Sequence, residues 1–135
     1  MGVIRSIKES KTVFIVDDSP IYREVLRHEL SEFKNLHVQT FSSAEECLAK
    51  MYEKPELVIL DFYLNGENKD NMTAHQAIKK MRELEVVPKI LLISSERNEG
   101  LLEEYLNYRN IDFVLKTGEG TKNIANRIKQ NLNQC

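Results

Sequence analysis

The sequence predicts a three-layer α/β domain, five parallel strands with helices on both faces, from three observations. Short apolar runs alternate with helical patterns along the chain, the runs VFIV, LVIL and ILLI are apolar at every position, and each is closed by a polar residue. Strands covered on both faces lose the polar alternation of half-exposed strands, and a β–α alternation builds parallel sheets through helical crossovers.

In chain order, the first strand is Thr12 to Asp17. Ser19 followed by Pro20 then reads as a cap and first helical position, opening a helix with the stripe Tyr22, Val25, Leu26, Leu30 and Phe33. Leu36 to Phe41 is the second strand, and Ser43-x-x-Glu46 is a capping box for a helix carrying Ala44, Leu48 and Met51. The third strand, Leu57 to Asp61, runs into an irregular stretch from Tyr63 to Met72, rich in turn formers. Thr73-x-x-Gln76 caps the third helix, with Ala77, Ile78 and Met81 inward. Lys89 to Ser94 and Asp112 to Lys116 are the last two strands, flanking a helix marked by Leu101, Leu102, Tyr105 and Leu106. Ile124 and Ile128 mark the fifth helix.

Composition excludes several function classes. The 135 residues are 41% hydrophobic and 30% charged, enough for one domain with a core. Nineteen basic against twenty-one acidic residues give a net charge of −2, so no basic stripe points to direct nucleic-acid binding. Cys47 and Cys135 form no CxxC or Cys/His spacing that would hold zinc, and their scarcity fits a reducing cytoplasm. The apolar runs are strand-sized, too short for a membrane span or a signal peptide.

The candidate chemistry lies where strands end. In open parallel sheets, ligands bind beyond the carboxyl ends of strands at the point where strand order reverses. Asp17 and Asp18 close the first strand and Asp61 the third. Two like charges about 4 Å apart repel by roughly 1 kcal/mol in water and about 4 kcal/mol at an effective dielectric of 20, so converging carboxylates invite a cation. Oxygen donors favour Mg²⁺ or Ca²⁺. Aspartate is also an ordinary turn former, and Asp18 alone would carry no argument. The set is stronger, because Ser94 ends the fourth strand and Lys116 the fifth. A divalent ion, an ammonium and a hydroxyl suit a phosphoryl group, and a carboxylate can attack phosphorus to give an acyl phosphate, with Asp61 the natural nucleophile.

This constellation, the Asp17-Asp18 pair with Asp61, Ser94, the aromatic Phe113 and Lys116, resembles the receiver domain of bacterial response regulators, with its CheY-like fold. The resemblance implies a flavodoxin-like (βα)5 sheet of order 2-1-3-4-5 and a single stand-alone domain over residues 1–135, its core about 11–132. It implies a two-component signalling protein and not a turnover enzyme. Asp61 would accept phosphate from a histidine kinase or histidine phosphotransfer protein. Asp17, Asp18, Asp61 and the Tyr63 backbone carbonyl would arrange Mg²⁺, and Ser94 and Lys116 would bind phosphoryl oxygens. Ser94 and Phe113 would form the switch that reports to a downstream protein, as a monomer or a phosphorylation-dependent dimer. Ile21, off the buried stripe of the first helix, would face solvent and dock the kinase.

The sequence departs from the family pattern in places. Thr117 follows Lys116 where a proline is common, Leu64-Asn65 replaces an apolar-Pro step after Asp61, and the loop there is longer. The glycine usual before the fifth strand is absent, leaving Asn110 as a left-handed substitute. Tyr63 and Glu96 flank the site where receivers tune hydrolysis. Competing classes fare worse. An aspartate-nucleophile phosphatase needs a DxD, but Phe62 and Tyr63 follow Asp61. A flavin carrier needs a hydroxyl- and glycine-rich loop where DDSPIY stands, and KTGEGTK lacks the P-loop spacing. The nearest competitor is a phosphorylation-independent pseudo-receiver that acts only as an interaction module.

Overall fold

Five strands form, β1 (Lys11–Val16), β2 (Leu36–Phe41), β3 (Leu57–Asp61), β4 (Lys89–Ser94) and β5 (Ile111–Leu115). They pair in parallel in the order β2-β1-β3-β4-β5, as expected. The computed structural model describes residues 10–64, 72–95, 103–105, 107–116 and 120–133. Helices α1 (Pro20–Leu30), α2 (Ala44–Leu48) and α3 (Ala74–Arg82) alternate with the strands, residues 103–105 are helical (α4), and α5 (Gly120–Asn133) closes the described chain.

The apolar runs divide by alternation into two cores. Phe14, Val16, Val58, Leu60, Ile90 and Leu92 face α2, α3 and Tyr105 of α4, while Val13, Ile15, Leu57, Ile59, Leu91 and Ile93 face α1 and α5. Period-two side chains on a central strand therefore fill both layers, which is why these runs tolerate no polar residue.

Strand bounds agree with expectation for β2, β3 and β4. β1 and β5 stop one residue early, so Asp17 and Lys116 lie just beyond their strands. Their amides still bond into the sheet, Asp17 to the Phe41 carbonyl at 3.1 Å and Lys116 to the Ser94 carbonyl at 2.7 Å. Both side chains thus leave the sheet at its carboxyl edge with the backbone still fixed.

Three local expectations need correction. Thr73 and Gln76 make the full reciprocal capping box, but the Glu46 carboxylate turns to the Ser42 amide and hydroxyl, leaving only the Ser43 hydroxyl on the Glu46 amide. Met51 does not extend α2. A separate 3-10 turn, Met51–Glu53, ends at left-handed Lys54, and Pro55 cannot continue it. Asn110 is not left-handed. Among the described residues the positive-φ non-glycine positions are Asn35 and Lys54, and Asn110 instead uses its side chain, donating to the Pro88 carbonyl and accepting from Arg82. Cys47 is on the inner face of α2, where burial pushes its thiol up to about 12.

Candidate functional site

Strand order reverses between β1 and β3, and the ends of these neighbours bring the acids together. Carboxylate oxygens of Asp17, Asp18 and Asp61 all lie within 4.8 Å of one another. Asp17 is fully buried, Asp61 is 4% exposed and Asp18 is open to solvent. Such an arrangement has one floor, one wall and one rim.

Asp17 is held from every side. One carboxylate oxygen accepts the Ser19 amide at 2.9 Å, the other accepts the Lys116 ammonium at 2.7 Å, and its carbonyl accepts the Arg23 guanidinium at 2.6 Å. Ser19 in turn caps α1 through its hydroxyl, which accepts the Tyr22 amide at 3.2 Å. The expected cap is therefore also the brace of the first acid.

Lys116 reaches Asp61 as well, 3.5 Å from its Oδ1, and that same oxygen accepts the Tyr63 amide at 3.4 Å. One ammonium is shared by two buried carboxylates with a third close by. The Asp61 carboxyl is consequently pushed up to about 7, first by burial and then by the charge of Asp17, with Lys116 and the Tyr63 amide pulling the other way. This residual negative charge is what a divalent cation would relieve, and the all-oxygen donor set suits Mg²⁺ or Ca²⁺. The three acids fit such an ion.

The structure also locates the other expected residues. Ser94 is buried at the end of β4, whose Ile93 pairs with Asp61, so the hydroxyl belongs to the strand beside the acid. Tyr63 borders the site, its ring half exposed and edge-on to Phe62 at 5.0 Å. Phe113 is half-buried on β5 opposite Leu92, its carbonyl accepting from Arg127 of α5 at 3.2 Å. Ile21 is 78% exposed, as its place off the helical stripe required. Glu96, Thr117 and the loop 65–71 lie outside the described residues.

Sequence reasoning missed two residues. Arg23 braces the Asp17 carbonyl, and Tyr22, read as part of the core stripe, lays its ring beside Lys116, whose ammonium sits 4.0 Å from the ring centroid. Proximity to a strand-end acid was the available signal: both residues lie in the first turn and a half of a helix that starts at Asp17's own cap.

Comparison with known proteins places this geometry. The response regulator receiver domain model matches residues 13–129. Among solved structures, the chain resembles the signal receiver domain of a presumed LuxO repressor protein from Vibrio parahaemolyticus, with TM-score 0.79 and 13% identity over 93% of this chain and 92% of that one. It also resembles the chemotaxis response regulator CheY4 of Vibrio cholerae, with TM-score 0.75, 20% identity, and 90% and 98% of the two chains covered. A third likeness is the response regulator domain of Thermotoga maritima CheB, with TM-score 0.73, 23% identity, and 93% and 96% covered. At these identities the structures speak for the fold alone. No curated protein sequence matches the chain. The family match spans nearly the whole chain and carries the acid cluster within it: the protein belongs to the response regulator receiver domain family, a signalling module of two-component systems rather than a turnover enzyme.

Proposed function

We propose that the protein is a phosphoaccepting response regulator whose Asp61 takes a phosphoryl group from a histidine kinase or histidine phosphotransfer protein in the cytoplasm. The observation that carries this reading is the placement of Asp61 within reach of Lys116 and of two further carboxylates at the carboxyl edge of the sheet. Among the described residues no helix is long and apolar enough to cross a membrane.

The chemistry follows from the residues. An oxygen of ionised Asp61 forms the new bond to phosphorus while the bond from phosphorus to the donor's histidine nitrogen breaks, the electron pair returning to the imidazole. With its carboxyl near 7, Asp61 is partly protonated at neutral pH, and added positive charge brings it to the nucleophilic form. Asp17, Asp18, Asp61 and the Tyr63 carbonyl would hold Mg²⁺, which when bound supplies charge neutralisation for the acids and the phosphoryl oxygens. Lys116 supplies a mobile positive charge, and the Ser94 hydroxyl a hydrogen bond to a phosphoryl oxygen. Movement of Ser94 toward that group would open space for the Phe113 ring, coupling the site to β5 and α5.

Ile21 is the proposed kinase contact. It stands with Pro20, Glu24, Val25 and His28 along a shallow depression on α1, an exposed apolar side chain beside the acidic rim. Ile21→Asp then slows transfer from a kinase while leaving uptake from a small donor unchanged, and equal slowing with both donors contradicts that role.

The test of the function is intact mass after incubation with acetyl phosphate and Mg²⁺. Wild type gains one phosphoryl group, and Asp61→Asn and an EDTA-treated sample gain none. A folded, Mg²⁺-binding wild type that gains nothing makes the protein a pseudo-receiver. Beryllofluoride is a second probe, since the DrrB receiver domain, 18% identical, has been solved in a BeF3-activated form.

A further inference from the structure

We infer that Tyr22 is a positioning residue of this site, its ring face holding the Lys116 ammonium in place between Asp17 and Asp61. The inference deepens the phosphoaccepting reading and rests on it.

The contacts form a closed circuit. One oxygen of Asp17 accepts the Ser19 amide at 2.9 Å, and the Ser19 hydroxyl accepts the Tyr22 amide at 3.2 Å, which fixes where Tyr22 leaves the first turn of α1. The ring lies 4.0 Å from the Lys116 nitrogen, and that nitrogen returns to the other oxygen of Asp17 at 2.7 Å. Helix cap, aromatic face, ammonium and acid each set the position of the next.

Two observations separate this role from simple packing. Among the described residues the Tyr22 hydroxyl is buried and has no hydrogen-bond partner, an arrangement that costs stability and that leucine or methionine in the same stripe would avoid. The contact the residue makes with the site runs through its ring, over which the Lys116 ammonium lies. An ammonium is drawn to an aromatic face by the ring quadrupole, most strongly where water is excluded. Lysine carries its charge on a flexible four-carbon stem, so a second restraint beside Asp17 narrows where the charge sits.

The ring also differs from a carboxylate in a way that matters for the reaction. A fourth acid in its place would hold the ammonium but would oppose an incoming phosphoryl group. A neutral face attracts the cation without adding net negative charge, and it leaves Lys116 free to follow the new oxygens.

The experiment uses the full chain with ¹³C-labelled lysine, observing the Lys116 ε-methylene signal, identified by its loss in Lys116→Met. A cation over a ring face is shifted upfield by the ring current. That shift is expected in wild type and Tyr22→Phe and lost in Tyr22→Leu. Phosphorylation by acetyl phosphate at saturating Mg²⁺ should stay within about twofold in Tyr22→Phe and fall about tenfold in Tyr22→Leu, the scale of one desolvated cation–π contact. Tyr22→Met replaces the leucine variant if that fails to fold. An unchanged Lys116 signal in the leucine variant overturns the proposal, and so does a phenylalanine variant as slow as the leucine one. A wild type that shows the shift but takes up no phosphoryl group overturns the phosphoaccepting reading, and with it the functional role, while leaving the ring contact measured.

Discussion

The two edges of the sheet use charge in opposite ways. At the amino edge, the Glu56 carboxylate accepts the Thr12 amide at 2.6 Å, and the ammonium groups of Lys11 and Lys89 donate to the Leu132 and Asn131 carbonyls at 2.7 and 3.5 Å. There the acid closes a strand entry and the lysines meet the carbonyl end of α5, where positive charge is favoured. At the carboxyl edge, three acids crowd together, and the two that are buried share one ammonium. Charge at the first edge satisfies the backbone; charge at the second exceeds what the described residues compensate. The difference teaches that it is the uncompensated charge, more than the number of charges, that marks the working edge.

The largest expected effect comes from removing the shared cation. Lys116→Met, with EDTA present, should lower the unfolding free energy by about 3 kcal/mol in urea titrations, because a fully buried Asp17 loses its ion-pair partner. Part of that loss should be recovered with Mg²⁺. No loss at all would break the contrast between the edges.

Of comparable size is a pH effect. The folded pKa of Asp61, about 7, exceeds its ordinary value of 3.8, so between these the native state binds more protons than the unfolded one. The contribution of Asp61 to metal-free stability should therefore be full below about pH 4 and be lost as pH rises toward 7, by on the order of a few kcal/mol. Asp61→Asn should flatten this part of the thermal-melt profile, and a profile equally steep in the variant would place the strain elsewhere.

The amino edge should respond more weakly and without touching the metal. Glu56→Ala removes a charged acceptor from the Thr12 amide and should cost about 1–2 kcal/mol, with an unchanged Mg²⁺ titration midpoint. Lys11→Met, losing one hydrogen bond to the Leu132 carbonyl, should cost about 0.5–1 kcal/mol by the same urea measurement. A shifted Mg²⁺ midpoint in either variant would show that the edges are coupled.

Much of this was legible in the sequence because it rests on period and on chain ends. Apolar runs with no polar break gave the sheet its two buried faces, and the polar residue closing each run lies at one edge whatever the helices do. Strand order does not follow from such patterns and came from the family resemblance. The misreadings were of another kind. Ser42 and Ser43 offer Glu46 nearly equivalent hydroxyls, and only the path of the backbone decides between them. Asn110 and Lys54 show the same limit, since asparagine is the better left-handed residue in isolation but lysine occupies that conformation here, before Pro55. Tyr22 satisfied the helical stripe so well that periodicity hid its contact with Lys116, a residue brought near only by the sheet.

Cys47 offers a clock. Its thiol is fully buried on the inner face of α2 and held far from the reactive thiolate by its raised pKa, so a disulfide reagent can reach it only when that layer opens. In a Cys135→Ser background, the labelling rate would time the opening of one face of the sheet, residue by residue silent elsewhere. Ligands that tighten the far edge would then be read as seconds or hours on a sulfur that never touches them.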